Sequence, residues 1–125
     1  MNIPKNNNRV MPYLIIKNAE TFFSFMQQVF GAVETARNTD EQGNLRHCEL
    51  TVGESAIMYA PASEQFPPMT AGMFIYVDDT LTTYQTALEA GATTIMEPTD
   101  HGYGLTCGIT DPYDNVWWVT QAPQS

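Results

Sequence analysis

The feature that most constrains the fold of this 125-residue chain is an internal repeat. Apolar periodicity and turn signals predict the same order of elements, βαβββ, in each half. An offset of 60 residues aligns the halves and places Gly31 and Ala32 on Gly91 and Ala92. Because few residues are identical, chance matching is the alternative to duplication. The shared order and spacing favour duplication, and with it an α+β fold of two modules.

The first module contains one predicted amphipathic helix, which Asn18 caps and Gly31 ends. Its apolar residues recur at helical spacing: Phe22, Phe25, Met26, Val29 and Phe30. Strands are predicted over residues 10–17, 32–37, 45–52 and 55–60.

The second module repeats this pattern after a proline-rich connector. Its helix is predicted to be capped by Asp78 and to end at Gly91. Its strands are predicted over residues 72–77, 93–96, 105–110 and 115–121.

The segment Glu97–Gly104 suits a mobile flap, although an ordinary exposed turn is the alternative. The predicted organisation is a single domain, 1–125, made of modules 9–60 and 70–122 and the connector 61–69.

Charge and hydropathy exclude several classes of partner. Five Lys and Arg against fourteen Asp and Glu give a formal charge of -9, which repels nucleic-acid phosphates and anionic membrane surfaces. No apolar run approaches the ~20 residues that span a bilayer. Residues 1–9 lack a secretory signal, and the two cysteines make neither a metal-binding nor a disulfide pattern. We therefore expect a cytoplasmic protein that binds neither nucleic acid nor a membrane.

Short strings of residues support a family resemblance. They are Met11–Asn18, Val29–Ala32, His47–Leu50, Ile75–Asp79, Glu89–Ala92, Tyr103–Gly104 and Asp111–Trp117. In their order and spacing, from about Arg9 to Gln121, the chain resembles the vicinal oxygen chelate superfamily of glyoxalases, bleomycin resistance proteins and dioxygenases. The strings are most similar to the PhnB-like branch.

The resemblance implies a fold and a ligand site. Members have two βαβββ modules that form a cupped, open β-barrel-like sheet, commonly in a homodimer. Active members hold a divalent metal with His or Glu from the first and last strands of each module. Those places fall on Met11, Met58, Gly72 and Trp118, which offer neither imidazole nor carboxylate. We therefore expect no metal and no other cofactor.

Strand alternation predicts which side chains line the cup. A two-residue turn would pair Glu49 with Met58 on one face. The 60-residue offset then places Cys107 and Ile109 on the same side as Trp118. The predicted ligand-binding residues are Met11, Tyr13, Met58, Phe74, Tyr76, Tyr103, Cys107 and Trp118. The alternative is that these aromatic and methionine side chains fill a closed core.

Three of the residues expected in the cup carry reactive groups. His47, Glu49 and Cys107 are the catalytic candidates, because an imidazole accepts a proton and a nearby carboxylate orients it. One alternative is that His47 and Glu49 form a structural hydrogen-bonded pair on a strand. In the same interpretation, Cys107 is a small buried apolar residue. Another is a relocated metal site, in which Cys107 or His101 joins His47 and Glu49 as a ligand.

These observations favour a binding protein over an enzyme. The leading hypothesis is a metal-free homodimer that binds a small, partly aromatic molecule, including a cationic one that the acidic surface would attract. The first alternative is a metal-dependent lyase, isomerase or dioxygenase with its site at His47 and Glu49. The second is a dimer whose cup is filled by its own side chains.

Overall fold

The computed structural model describes residues 1–123. Its strands are β1 (Tyr13–Ile16), β2 (Val33–Thr39), β3 (Leu45–Val52), β4 (Ser55–Pro61), β5 (Gly72–Val77), β6 (Thr93–Asp100), β7 (Leu105–Thr110) and β8 (Val116–Gln121). Its α-helices are α1 (Phe22–Phe30), which a 3-10 turn over Ala19–Thr21 precedes, and α2 (Thr80–Glu89). Neither helix within these residues is long and apolar enough to cross a membrane.

The strands form two four-stranded sheets in two compact units. The first unit comprises Met1–Gln27 and Gly31–Thr70 and contains the sheet β1-β4-β3-β2. The second comprises Gln28–Phe30 and the described residues from Ala71 to 123, and contains the sheet β5-β8-β7-β6. In each sheet the first and last strands of the module are parallel, and the other neighbours are antiparallel. The predicted α+β class and the βαβββ order of both halves are confirmed.

The first helix forms where the apolar spacing predicts it. Its buried residues are Phe22, Phe25, Met26 and Val29. Gly31 ends the helix in a left-handed conformation with φ 70°, which glycine adopts without a steric penalty. The expected cap is wrong, because Asn18 is itself left-handed and its side chain makes no capping hydrogen bond. Its backbone carbonyl instead accepts the N–H of Thr21 and closes the 3-10 turn.

The second helix is capped one residue later than predicted. Asp79, rather than Asp78, precedes it with extended backbone. The Asp79 carboxylate accepts the backbone N–H and the hydroxyl of Thr82, each at 3.1 Å. These bonds lower the pKa of Asp79, chiefly through the backbone donor. Spacing alone does not distinguish two adjacent aspartates as caps.

One face of the first sheet packs against α1. Tyr59 pairs with Cys48, and its ring meets that of Phe22 at a centroid distance of 4.8 Å. Cys48 and Tyr59 are fully buried. Because side chains alternate along a strand, the other face carries Tyr13, His47, Glu49 and Met58. The predicted pairing of Glu49 with Met58 is confirmed.

One face of the second sheet packs against α2. The hydroxyl of Tyr84 on α2 lies 2.9 Å from that of Thr94, which pairs with Ile109. Ile109 in turn pairs with Trp117, whose ring meets that of Phe30 at 4.7 Å. The face away from α2 carries Phe74, Tyr76, Gly108 and Trp118.

The register of β7 and β8 contradicts one expectation. Gly108, rather than Ile109, pairs with Trp118. Ile109 and Cys107 therefore lie on the α2 face, and the prediction that they share a side with Trp118 is wrong. Turn length explains the difference: two residues connect β3 to β4, whereas five connect β7 to β8. The two turns differ by three residues, and an odd difference places the residues before the second turn on the opposite face from the one that the offset predicts.

The sixth strand is longer than predicted. It continues through Pro98 to Asp100, so only residues 101–104 separate it from β7. Register shifts on both sides of Met96 interrupt its pairing with β7, where a proline is tolerated. The expectation of a loop over Glu97–Gly104 is therefore wrong for its first half.

A buried aspartate organises the turn between β7 and β8. Asp111 Oδ1 accepts the backbone N–H groups of Tyr113 and Asn115, each at 2.9 Å. Its Oδ2 accepts the side-chain amide of Asn115 at 3.1 Å and the indole N–H of Trp117 at 2.8 Å. Burial raises the pKa of Asp111, and these donors oppose that shift. The network fixes the conformation of the turn and, with it, the register of the two strands.

We expect Asp111→Ala to destabilise the protein far more than Asp40→Ala does. In the turn after β2, Asp40 accepts the backbone N–H groups of Gln42 and Asn44 in the same way, but in an exposed turn where water can replace it. Loss of Asp111 leaves buried donors without an acceptor, so the free energy of unfolding should fall by about 2–4 kcal/mol. Urea unfolding followed by tryptophan fluorescence measures both variants. Equal losses would contradict the role assigned to the buried turn.

Candidate functional site

Four predicted residues meet on the face of the first sheet that is not covered by α1. Tyr13 lies in β1, His47 and Glu49 lie in β3, and Met58 lies in β4. Met58 pairs with Tyr13 on one side and with Glu49 on the other. His47 is two residues from Glu49 and so shares its face. Sheet register therefore gathers residues that are up to 45 positions apart in the chain.

A chain of hydrogen bonds connects the polar members. Tyr13 Oη lies 3.2 Å from His47 Nδ1, and His47 Nε2 lies 3.0 Å from Glu49 Oε2. The side-chain amide of Asn7 donates to Glu49 Oε1 at 2.9 Å. We call Asn7, Glu49, His47 and Tyr13 the polar chain. Tyr13 is 49% exposed, whereas the side chains of His47 and Glu49 retain 27% and 19% exposure, so Tyr13 is the most exposed of these three residues.

Glu49 is held in its ionised form. The bond from Asn7 is the largest cause that lowers the pKa of Glu49, and His47 adds to it, while partial burial opposes the shift. Because an ionised carboxylate only accepts hydrogen bonds, His47 Nε2–H is the donor to Glu49, and in the neutral form of the ring Nδ1 is then free to accept the Tyr13 O–H. The Glu49 carboxylate therefore orients the imidazole ring of His47.

Three exposed aromatic side chains lie on the face of the second sheet that is not covered by α2. Trp118 in β8 pairs with Phe74 in β5. The rings of Phe74 and Tyr76 meet edge to face, with centroids 5.1 Å apart. Phe74 is 52% exposed, Tyr76 61% and Trp118 37%. We call these three residues the aromatic face. Neighbouring apolar side chains left open to water are typical of interaction sites.

A glycine on the neighbouring strand makes room for Trp118. Gly108 pairs directly with Trp118, and a Cβ at Gly108 would lie 2.8 Å from Trp118 Cε3 and closer still to Cζ3. The indole therefore lies over the Gly108 backbone, in space that any other side chain would occupy. Glycine is required here for close approach and not for a left-handed conformation.

Three predicted ligand residues, Met11, Tyr103 and Cys107, take no part in the contacts described above. Met11 precedes β1 and is partly buried. Tyr103 lies in the exposed loop after β6, where its ring stacks on that of His101 at 5.9 Å. Cys107 is fully buried on the α2 face, and burial raises the pKa of its thiol to about 11. A buried, protonated thiol lacks the reactivity that the catalytic candidate needs.

Sequence reasoning does not find Asn7 or Gly108. Asn7 lies 42 positions from Glu49, in a polar leader whose composition indicates only a loop. Gly108 does carry a signal, because a glycine inside a strand often marks a close approach. That signal becomes specific only when the register shows that Trp118 is the partner.

The residues present do not fit a divalent metal at the places implied by the resemblance. Met58 offers a thioether, Trp118 an indole and Gly72 no side chain, none of which suits Zn or Fe(II). A relocated site needs a third ligand beside His47 and Glu49. Within residues 1–123, no three His, Cys, Asp or Glu side chains form a group that could hold a metal. Both ring nitrogens of His47 are also engaged in hydrogen bonds.

Comparison with known sequences identifies the family. The model of the Glyoxalase/Bleomycin resistance protein/Dioxygenase superfamily matches residues 8–119. An uncharacterised protein of Mycobacterium bovis is 26% identical over 88% of this chain and 80% of its own length. The match to the superfamily therefore spans most of the chain.

Solved structures share the fold. TnmS3, an antibiotic binding protein from Streptomyces sp. CB03234, has a TM-score of 0.72 and 17% identity over 98% of this chain and 99% of its own. A PhnB protein from Bacillus cereus has a TM-score of 0.71 and 15% identity over 92% of this chain and 100% of its own. The resemblance seen in the sequence is thus confirmed, and the chain belongs to the glyoxalase/bleomycin resistance protein/dioxygenase superfamily.

Proposed function

We propose that this protein binds small, flat aromatic molecules on the aromatic face of its second unit, without a bound metal. The observation that carries the proposal is the exposure of Phe74, Tyr76 and Trp118 on one face of one sheet. Burial of apolar surface is worth roughly 25 cal/mol per Å². Stacking of a flat ring on an aromatic side chain is worth about 1–3 kcal/mol. A planar ligand would gain both contributions here.

The charge of the chain favours a cationic ligand. The formal charge of -9 favours the approach of cations over that of anions. Aromatic rings add to this preference, because the face of an indole or a phenol attracts a cation. We therefore propose planar aromatic cations as the preferred class.

The ligand class is in keeping with one structural neighbour. TnmS3, which shares the fold, is described as an antibiotic binding protein. Because its identity to this chain is 17%, the neighbour supports a binding role for the fold and no particular antibiotic. A metal-dependent lyase, isomerase or dioxygenase remains the alternative, but the donor set beside His47 and Glu49 gives it no support.

We expect Trp118→Ala to weaken binding of proflavine, a planar cation, by at least about tenfold, which corresponds to about 1.4 kcal/mol. Phe74→Ala should weaken it less, because a smaller ring is lost. The matched control is Phe66→Ala, since Phe66 is 57% exposed but lies in the connector outside the aromatic face. Fluorescence polarisation with a metal chelator present measures all three affinities. Unchanged affinity in Trp118→Ala would contradict the proposal, and so would a requirement for metal.

We expect Gly108→Ala to weaken proflavine binding although it leaves every aromatic side chain in place. The added methyl group would displace the indole of Trp118 from its position over β7. The matched control is Gly72→Ala, which adds a methyl group to the same face of the sheet, two residues from Phe74, but displaces no atom because a Cβ at Gly72 meets none within 4 Å. The same polarisation titration compares the two variants. Equal affinities would show that the position of the indole does not matter.

We also expect the protein to be a homodimer, as the family resemblance implies. Sedimentation velocity should then show a species of twice the 14.0 kDa mass of the chain. A dimer that binds no planar ligand would favour the alternative in which the cup is filled by its own side chains. A cytoplasmic location stays a prediction, which cell fractionation tests.

A further inference from the structure

The polar chain on the first unit has an arrangement that the proposed binding role does not use. Enzymes that activate a hydroxyl nucleophile place it within hydrogen-bond reach of a base, which a third group orients. Tyr13, His47 and Glu49 stand in that order, with contacts of 3.2 Å and 3.0 Å. These three residues belong to the first unit, whereas the aromatic face belongs to the second.

We propose that Tyr13 Oη is an activated nucleophile, with His47 as its base and Glu49 as the residue that orients the base. The class of substrate is a small molecule with an acyl or sulfonyl centre that bears a leaving group. Asn7 is a positioning residue, because it reaches Tyr13 only through Glu49 and His47.

The arrangement of the chain supports this assignment. Tyr13, the nucleophile, is more exposed than His47 or Glu49, so a substrate can approach its side chain. His47 is bonded at both ring nitrogens, which restrains rotation of the ring. The amide of Asn7 occupies Glu49 Oε1 and leaves Oε2 directed at His47. Each member is thus held in place by the next.

The proposed step is a balanced substitution. Tyr13 Oη attacks the electrophilic sulfur or carbonyl carbon and forms a new bond to it. The bond to the leaving group breaks, and the leaving group departs with its electron pair. The phenol proton passes to His47 Nδ1, and the Glu49 carboxylate stabilises the imidazolium that forms. The substitution needs no oxidant or reductant.

The experiment measures modification of the full chain by benzenesulfonyl fluoride, from which fluoride departs. Peptide mass spectrometry over time gives a rate for each tyrosine. Tyr76 and Tyr103 are internal references, because they are 61% and 59% exposed and therefore more accessible than Tyr13. We expect Tyr13 to react at least about tenfold faster than either reference, since a positioned base typically contributes 10²–10⁴-fold.

Two variants test the roles of the supporting residues. His47→Gln should reduce the rate at Tyr13 to that of the references, because it removes the base. Glu49→Gln should reduce the rate severalfold, because the amide keeps the shape of the side chain without its charge. The matched control is His101→Gln: the ring of His101 stacks on Tyr103, so this variant should leave the rate at Tyr13, compared with that at Tyr76, unchanged. Circular dichroism confirms that each variant is folded.

Two outcomes would overturn the proposal. Equal rates at Tyr13 and the two references, measured in the unaltered protein, would show that the phenol is not activated. An unchanged rate at Tyr13 in folded His47→Gln would show that exposure alone controls the reaction. Neither outcome bears on the aromatic face, because proflavine binding is measured separately and on other residues.

Discussion

The aromatic face depends on one buried carboxylate. Asp111 accepts hydrogen bonds from Asn115 and from the indole of Trp117, and so holds the five-residue turn between β7 and β8 in one conformation. That conformation sets the register in which Gly108, and not Ile109, lies beside Trp118. A shift of one residue would exchange the two faces of β7 and place a branched side chain where the indole now lies. An interaction buried in a turn thereby determines what the sheet exposes.

The two modules use equivalent positions for different chemistry. Met58 and Trp118 correspond under the 60-residue offset, and each lies on the face of its sheet that the module's own helix leaves open. The strand beside Met58 contributes Glu49, which is ionised and bonded to His47. The strand beside Trp118 contributes Gly108, which carries no side chain at all. One scaffold thus carries a polar group in the first unit and exposed aromatic rings in the second.

Features of this structure that local sequence patterns determine were predicted better than features that depend on contacts between distant residues. The bounds of β3, β5 and β7 follow directly from apolar runs between turn residues, and the first hairpin's register follows from its two-residue turn. The second register could not be predicted from the offset, because the offset assumes turns of equal length in both modules. The hydrogen bond between Asn7 and Glu49 could not be predicted from a local sequence pattern, because it joins residues 42 positions apart. The predicted helix cap was one residue too early, because Asp78 and Asp79 have the same side chain and sequence spacing does not separate them.

The central claim is that the exposed aromatic face of the second unit is a binding site. An ¹H–¹⁵N spectrum recorded during titration with proflavine tests it most directly, because the two indole N–H groups are an internal comparison. The indole of Trp117 is buried and bonded to Asp111, whereas Trp118 is 37% exposed. We expect the largest shifts at the Trp118 indole and at the backbone amides of Phe74 and Gly108, with little change at the Trp117 indole. Shifts confined to other residues, or none at saturating proflavine, would contradict the account.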